Sequence, residues 1–228
     1  MIIAPSLLAS DYGKFAREAQ RIERSGADWT HVDIMDGHFV PNLTFGPGIV
    51  RTLREHSKMF LDVHLMCSKP ETLLEAFAKA GADQITVHVE LGEKVPQLLW
   101  KIRSLNKRVG LAVNPPTSIS TARPHLKQID SLLVMTVNPG FGGQEFIQET
   151  LPKIEQARTW REQEGRRFHI EVDGGINMQT AAECAHVGAD VFVSGTDLFQ
   201  QRSLRVAVRR MRNAAQAAAV AAQVRLEA

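Results

Sequence analysis

The chain is poor in cysteine and tyrosine, has no long apolar run and carries almost no net charge. Cys67 and Cys184 are its two cysteines, and no Cys-x-x-Cys pair exists. This argues against a disulfide framework and against a thiolate zinc site. No apolar stretch approaches the ~20 residues that a membrane-spanning helix needs. The opening MIIAPSLLASDYGKF has no positively charged leader, and Asp11 and Lys14 follow at once. No secretory signal is therefore expected, and a cytoplasmic protein is. With 27 basic and 25 acidic residues the formal net charge is +2, which is no footprint of a polyanion partner. A single tyrosine among few aromatics also argues against a base-stacking surface, so neither nucleic acid nor membrane is an expected partner.

What is present is ordinary globular composition, 44% hydrophobic and 23% charged, over 228 residues. Eight short apolar runs, at 2–4, 29–34, 60–65, 84–89, 109–113, 131–137, 168–172 and 190–193, alternate with longer stretches of helical periodicity. Phe15, Ala19 and Ile22 mark one helix face, and Leu73, Leu74 and Phe77 another. Asp11 suits an N-cap, Pro70 a first helical turn, and Gly26 and Gly81 helix ends. A Gly-Ala-Asp junction recurs at 26–28, 81–83 and 188–190, with spacings of 55 and 107 residues, close to two and four units of about 27. Eight strand–helix units predict an α/β fold, a single-domain (β/α)8 TIM barrel spanning 1–228. An open doubly wound sheet is the alternative. From Leu204 the sequence reads as the last barrel helix, basic at first, with an alanine-rich helical tail at about 212–228.

Alternation along the strands puts His31, Asp33 and Met35 on one face, Asp62, His64 and Met66 on another, and Glu171 with Asp173 on a third. Polar groups inside a barrel are unfavourable unless paired or functional, and those near strand C-termini lie at the mouth, where barrel enzymes work. Singly, each histidine reads better as a hydrogen-bonded core residue. An HxD and an H on neighbouring strands, with an aspartate ending the seventh, favour a site for a divalent metal of borderline character. His38, His88 and His169 make no comparable case, although His88 ends a strand and could line the mouth. Neither cysteine has a base at motif spacing, so thiol catalysis is not expected. Glycine-rich turns at Gly140, Gly142 and Gly143, at Gly174 and Gly175, and at Gly195 follow the last three strands, where barrels often bind phosphate. The glycines flanking Phe141 suit a lid over that site.

HVDIMDGHFVPNLTFGP (31–47), DVHLM (62–66), MTVNPGFGGQ (135–144) and EVDGGI (171–176) resemble the ribulose-phosphate 3-epimerase family, and the likeness runs from IAPSLLASD to about residue 199. The resemblance implies one divalent cation (zinc, iron(II), manganese or cobalt) held by His31, Asp33, His64 and Asp173. It implies that Asp33 and Asp173 are also the acid/base pair. It puts Ser6 and His64 on the substrate, and Gly140, Phe141, Gly142, Gly143, Gly174, Gly175, Gly195 and Thr196 around a small-molecule sugar phosphate. It makes Met35, Met66 and Met135 a cap over the reacting carbons. The implied reaction interconverts D-ribulose 5-phosphate and D-xylulose 5-phosphate, a step of the pentose phosphate pathway and the Calvin cycle, in an expected homo-oligomer. Two carboxylates suit inversion at C3, since one base cannot easily serve both faces of that carbon.

Some positions depart from the family pattern. Cys67 stands where an aliphatic residue is usual, and Asp197 puts a carboxylate beside the phosphate turn. An allulose 6-phosphate 3-epimerase is the nearest alternative, because it shares the metal motif. The related decarboxylases need a lysine where this chain has Met35. A non-catalytic sugar-phosphate barrel would be expected to lack a ligand, and here all four are present.

Overall fold

All eight apolar runs form strands in the computed structural model, which describes residues 1–227. They are β1 (Ile2–Pro5), β2 (Trp29–Met35), β3 (Phe60–Met66), β4 (Gln84–His88), β5 (Arg108–Val113), β6 (Ser131–Met135), β7 (His169–Asp173) and β8 (Val191–Ser194). Their order is β1-β8-β7-β6-β5-β4-β3-β2, and the paired neighbours are parallel. β1 and β2 meet at a Ser6–His31 bridge and through the Asp28 N–H, which donates to the Ile3 carbonyl at 3.0 Å. The sheet thus closes as a (β/α)8 barrel.

The helices are α1 (Phe15–Ser25), α2 (Pro47–His56), α3 (Leu74–Ala80), α4 (Val95–Ser104), α5 (Leu151–Gln163), α6 (Met178–Val187), α7 (Thr196–Phe199) and α8 (Leu204–Glu227). Gly26 and Gly81 end α1 and α3 at φ of 79° and 114°, a left-handed turn that a side chain would strain. The connection from β5 to β6 differs from the helical expectation: it is a 3-10 segment, Ile119–His125, with Pro124 inside it. Proline removes an N–H donor and crowds the preceding turn, and Pro115 and Pro116 form a tight turn before it, closed by the Thr117 N–H donating to the Asn114 carbonyl at 3.1 Å. Asp11 caps a 3-10 turn at Tyr12–Lys14 rather than α1 itself. Likewise, Pro70 opens a 3-10 turn, Pro70–Thr72, ahead of α3.

Val32, Ile34, Val63, Leu65 and Val172 face outward into the main core beneath the helices. The Gly-Ala-Asp junctions serve a common purpose at the N-terminal end of the barrel. Asp28 accepts from the Ile3 N–H at 2.8 Å, Asp83 from Leu61 at 2.8 Å, and Asp190 from Ile170 at 3.1 Å. Asp130 does the same for Val109 at 2.7 Å. Each carboxylate also meets an arginine: Arg212, Arg54, Arg161 and Arg103 respectively. The alanine-rich stretch continues α8 as far as residue 227; residue 228 lies outside the described residues. Val208, Met211, Ala215 and Ala222 are buried at helical spacing, while Val220 and Val224 are exposed. No described helix is long and apolar enough to cross a membrane.

Candidate active site and metal centre

The barrel interior changes character along its axis. Towards the N-terminal end Ala4, Trp29 and Val191 form an apolar plug, continued upward by Val193 opposite Asp173, with Phe60 stacked on Trp29 at 4.6 Å. Above it, pairing of β2 with β3 sets His31 opposite Asp62, Asp33 opposite His64 and Met35 opposite Met66. Pairing of β6 with β7 sets Met135 opposite Asp173. One-residue register errors would swap these groups for aliphatic ones, so the parallel register itself assembles the site.

Four ligand atoms converge, all within 4.8 Å of one another: one each from His31, Asp33, His64 and Asp173. Asp33 Oδ1 lies 3.2 Å from both His31 Nε2 and His64 Nδ1. Asp173 Oδ2 lies 3.9 Å and 4.0 Å from the same nitrogens. A cation bound at about 2.0–2.2 Å to nitrogen and oxygen ligands needs such spacings, and a two-imidazole, two-carboxylate set suits a borderline divalent ion. The remaining nitrogens are occupied. Asp62 Oδ2 sits 2.6 Å from His31 Nδ1, and His88 Nε2 sits 2.7 Å from His64 Nε2. These partners leave one nitrogen of each ring for the convergence point, as metal-bound histidines require. The residues present fit a divalent cation.

Electrostatics separate the acids. Burial works against the Asp33 carboxylate, but His31 and His64 overcome it and hold its pKa far below the usual range. Burial, followed by the charge of Asp33, pushes Asp173 up to about 7. Burial and the charge of Asp62 push Glu171 up to about 8. Burial alone would make His31 neutral, yet the Asp33 and Asp62 carboxylates keep its pKa well above the ordinary value. Burial dominates at His64 and lowers it to about 4.

A cavity of about 590 Å³ opens above these groups. Ser6, Asp33, Asp173, Met35, Met66 and Met135 line it. So do Gly140, Phe141, Gly142, Gly143, Gly174, Gly175, Gly195 and Thr196, the residues expected around a phosphate. His64 does not line the cavity; it is fully buried below, as is His31. Ser6 Oγ donates to Asp33 Oδ2 at 2.7 Å. Met35 and Met66 cluster with Val40, whereas Met135 packs with Ala112 and Leu133. At Gly174 and Gly175, φ is 117° and 64°, and an added Cβ would lie 2.4 Å from Val137 and 2.6 Å from Phe146. Both must be glycine for the loop to turn here. Asp197 also lines the cavity, and burial raises its pKa.

Several contributors lie outside the sequence-derived set. Asn42 Nδ2 donates to the Gly140 carbonyl at 2.7 Å, and Gln144 Nε2 bonds the Asn138 and Phe141 carbonyls, so the expected lid loop is tethered. Thr44 Oγ1 donates to the Asp33 carbonyl at 2.6 Å and accepts from the Met35 N–H at 3.0 Å, bracing the end of β2. His88 does not reach the mouth; it is fully buried against His64. Both cysteines are buried with raised thiol pKa values, Cys67 at about 12, which suits neither to nucleophilic work.

A family model for the ribulose-phosphate 3 epimerase family matches residues 2–199. The chain belongs to the ribulose-phosphate 3-epimerase family. A ribulose-phosphate 3-epimerase of Rhodobacter capsulatus is 48% identical over 203 residues, 89% of this chain and 87% of the relative. One from Synechocystis sp. is 43% identical over 215 residues, 93% and 94% of the two chains. As a member of this family the chain is an enzyme, an epimerase of the isomerase class. Among solved structures, KGPDC from Streptococcus mutans aligns with a TM-score of 0.69 at 16% identity, covering 95% of this chain and 97% of that one. A 3-hexulose-6-phosphate synthase from Salmonella typhimurium aligns at 0.68 and 18%, covering 96% and 100%. At such identities the structural likeness concerns the barrel alone.

Proposed function

We propose that the cavity epimerises C3 of D-ribulose 5-phosphate, giving D-xylulose 5-phosphate, with Asp33 and Asp173 as the proton-transfer groups. The observation that carries this reading is the convergence of two carboxylates from separate strands, with two imidazoles, on the floor of a glycine-walled cavity. Inversion requires a proton to leave C3 from one face and another to arrive on the opposite face, which two carboxylates can share. Ser6 holds Asp33 through its hydroxyl and so fixes the direction of that carboxylate. Met35, Met66 and Met135 line the cavity with side chains that neither donate nor take a proton, limiting exchange with water. Gly143, Gly174, Gly175, Gly195 and Thr196 grip the phosphate, and that remote binding energy positions C3.

His31, Asp33, His64 and Asp173 would hold one divalent cation, of the zinc, iron(II), manganese or cobalt type. When bound, it polarises the substrate carbonyl and offsets the charge that proton removal creates. The test is conversion of D-ribulose 5-phosphate with and without a chelator. Turnover that stops on chelation and returns with added divalent cation is expected. Chelator-insensitive turnover would overturn the metal assignment. Turnover of D-allulose 6-phosphate in preference to D-ribulose 5-phosphate would overturn the substrate.

A further inference from the structure

The two histidines of the cluster are anchored differently. His31 meets a carboxylate directly, with Asp62 Oδ2 at 2.6 Å from its Nδ1. His64 instead meets another imidazole. Its Nε2 is 2.7 Å from His88 Nε2, and the two rings stack at 4.9 Å with a 22° interplanar angle. His88 is fully buried; its Nδ1 lies 3.1 Å from Glu90 Oε2, and Glu90 Oε1 accepts the Asn114 N–H at 2.8 Å.

The geometry assigns His88 and Glu90 as positioning residues that fix which nitrogen of His64 offers its lone pair to the cation, an inference that rests on the metal reading above. The reasoning is a count of protons. Two ring nitrogens 2.7 Å apart share one hydrogen, so one donates and the other accepts. Glu90, an ionised carboxylate, only accepts, and this sets the proton of His88 on Nδ1. His88 Nε2 is then an acceptor, which sets the proton of His64 on Nε2. His64 Nδ1, 3.2 Å from Asp33 Oδ1, is left with a free lone pair at the convergence point. The opposite arrangement would leave an N–H pointing at the cation and His88 Nδ1 without a proton against a carboxylate. Glu90 thus sets the ligand state of a histidine it does not touch, through one intervening ring.

The test uses the full chain, stripped of metal and titrated with zinc against a chromophoric chelator. His88→Leu removes the acceptor and is expected to weaken zinc binding about 10- to 100-fold, the usual effect of losing an outer partner. His88→Gln, whose amide oxygen can accept from His64, is expected to recover most of that loss. Thermal melting of each variant tracks folding separately. In the zinc-loaded wild type, ring 15N–1H correlations should show His64 protonated on Nε2 and His88 on Nδ1. Wild-type zinc affinity in His88→Leu would overturn the inference alone, as would a His64 proton found on Nδ1. Failure of the wild type to bind zinc would overturn the metal reading and this inference with it.

Discussion

The two ends of the barrel use aspartate in opposite ways. At the N-terminal end Asp28, Asp83, Asp130 and Asp190 each take a strand N–H and an arginine. Those carboxylates are consumed by folding: they satisfy backbone donors and neutralise cations. At the C-terminal end no described lysine or arginine pairs with Asp33 or Asp173, which face imidazoles instead. Excess buried acid without a matching cation is unfavourable unless something else supplies positive charge, and a divalent cation does. The contrast separates structural from chemical carboxylates more sharply than depth does.

Asp33→Asn should give the largest effect, because it removes the carboxylate that faces both histidines. A loss of about 10²–10⁴-fold in kcat is expected, with little change in melting temperature, read by coupled assay and calorimetry. Gly175→Ala comes next: with φ at 64° and Phe146 in the way, the loop must shift, and KM for the sugar phosphate should rise more than kcat falls. Asp83→Ala probes the other end. It strands the Leu61 N–H and takes the carboxylate partner from Arg54, which keeps its bonds to the Gly81 and Met59 carbonyls, so stability should drop by about 1–3 kcal/mol in urea unfolding while kcat holds. An equal loss of kcat there would break the division between the two ends.

The smallest effect sharpens the comparison. Asp36 lies near the mouth, yet it accepts from the His38, Phe39 and Ser68 N–H groups and from the Ser68 hydroxyl. Despite the opposing effect of burial, these bonds hold its pKa below the ordinary value. A depressed folded-state pKa means the contribution is complete above the unfolded value of about 3.9 and disappears as pH falls through the folded one. Acid unfolding of Asp36→Asn should therefore show a shallower pH dependence below about pH 4 than the wild type, with kcat at neutral pH little changed.

The sequence carried the eight strands and the four convergent ligands because both follow from period-two alternation and from polar residues at strand ends. The β5–β6 connection misled because helical periodicity says nothing of Pro124 until the missing N–H is counted. His88 was legible in principle, since Gln84, Thr86 and His88 share a face by the same alternation that revealed His31 and His64. Its contact with His64 depends on the register of β3 against β4, which a single sequence does not display. The Asn42–Gly140 bond joins residues 98 apart, and no local pattern announces it.

The central claim is that Asp33 and Asp173 exchange protons with C3. Its most direct test follows deuterium at C3 by NMR when metal-loaded Asp173→Asn is incubated with D-ribulose 5-phosphate in heavy water, beside the wild type. The account predicts deuterium at C3 of both epimers with the wild type, and no D-xylulose 5-phosphate from a variant that remains folded. Wild-type formation of C3-deuterated D-xylulose 5-phosphate by Asp173→Asn would contradict it.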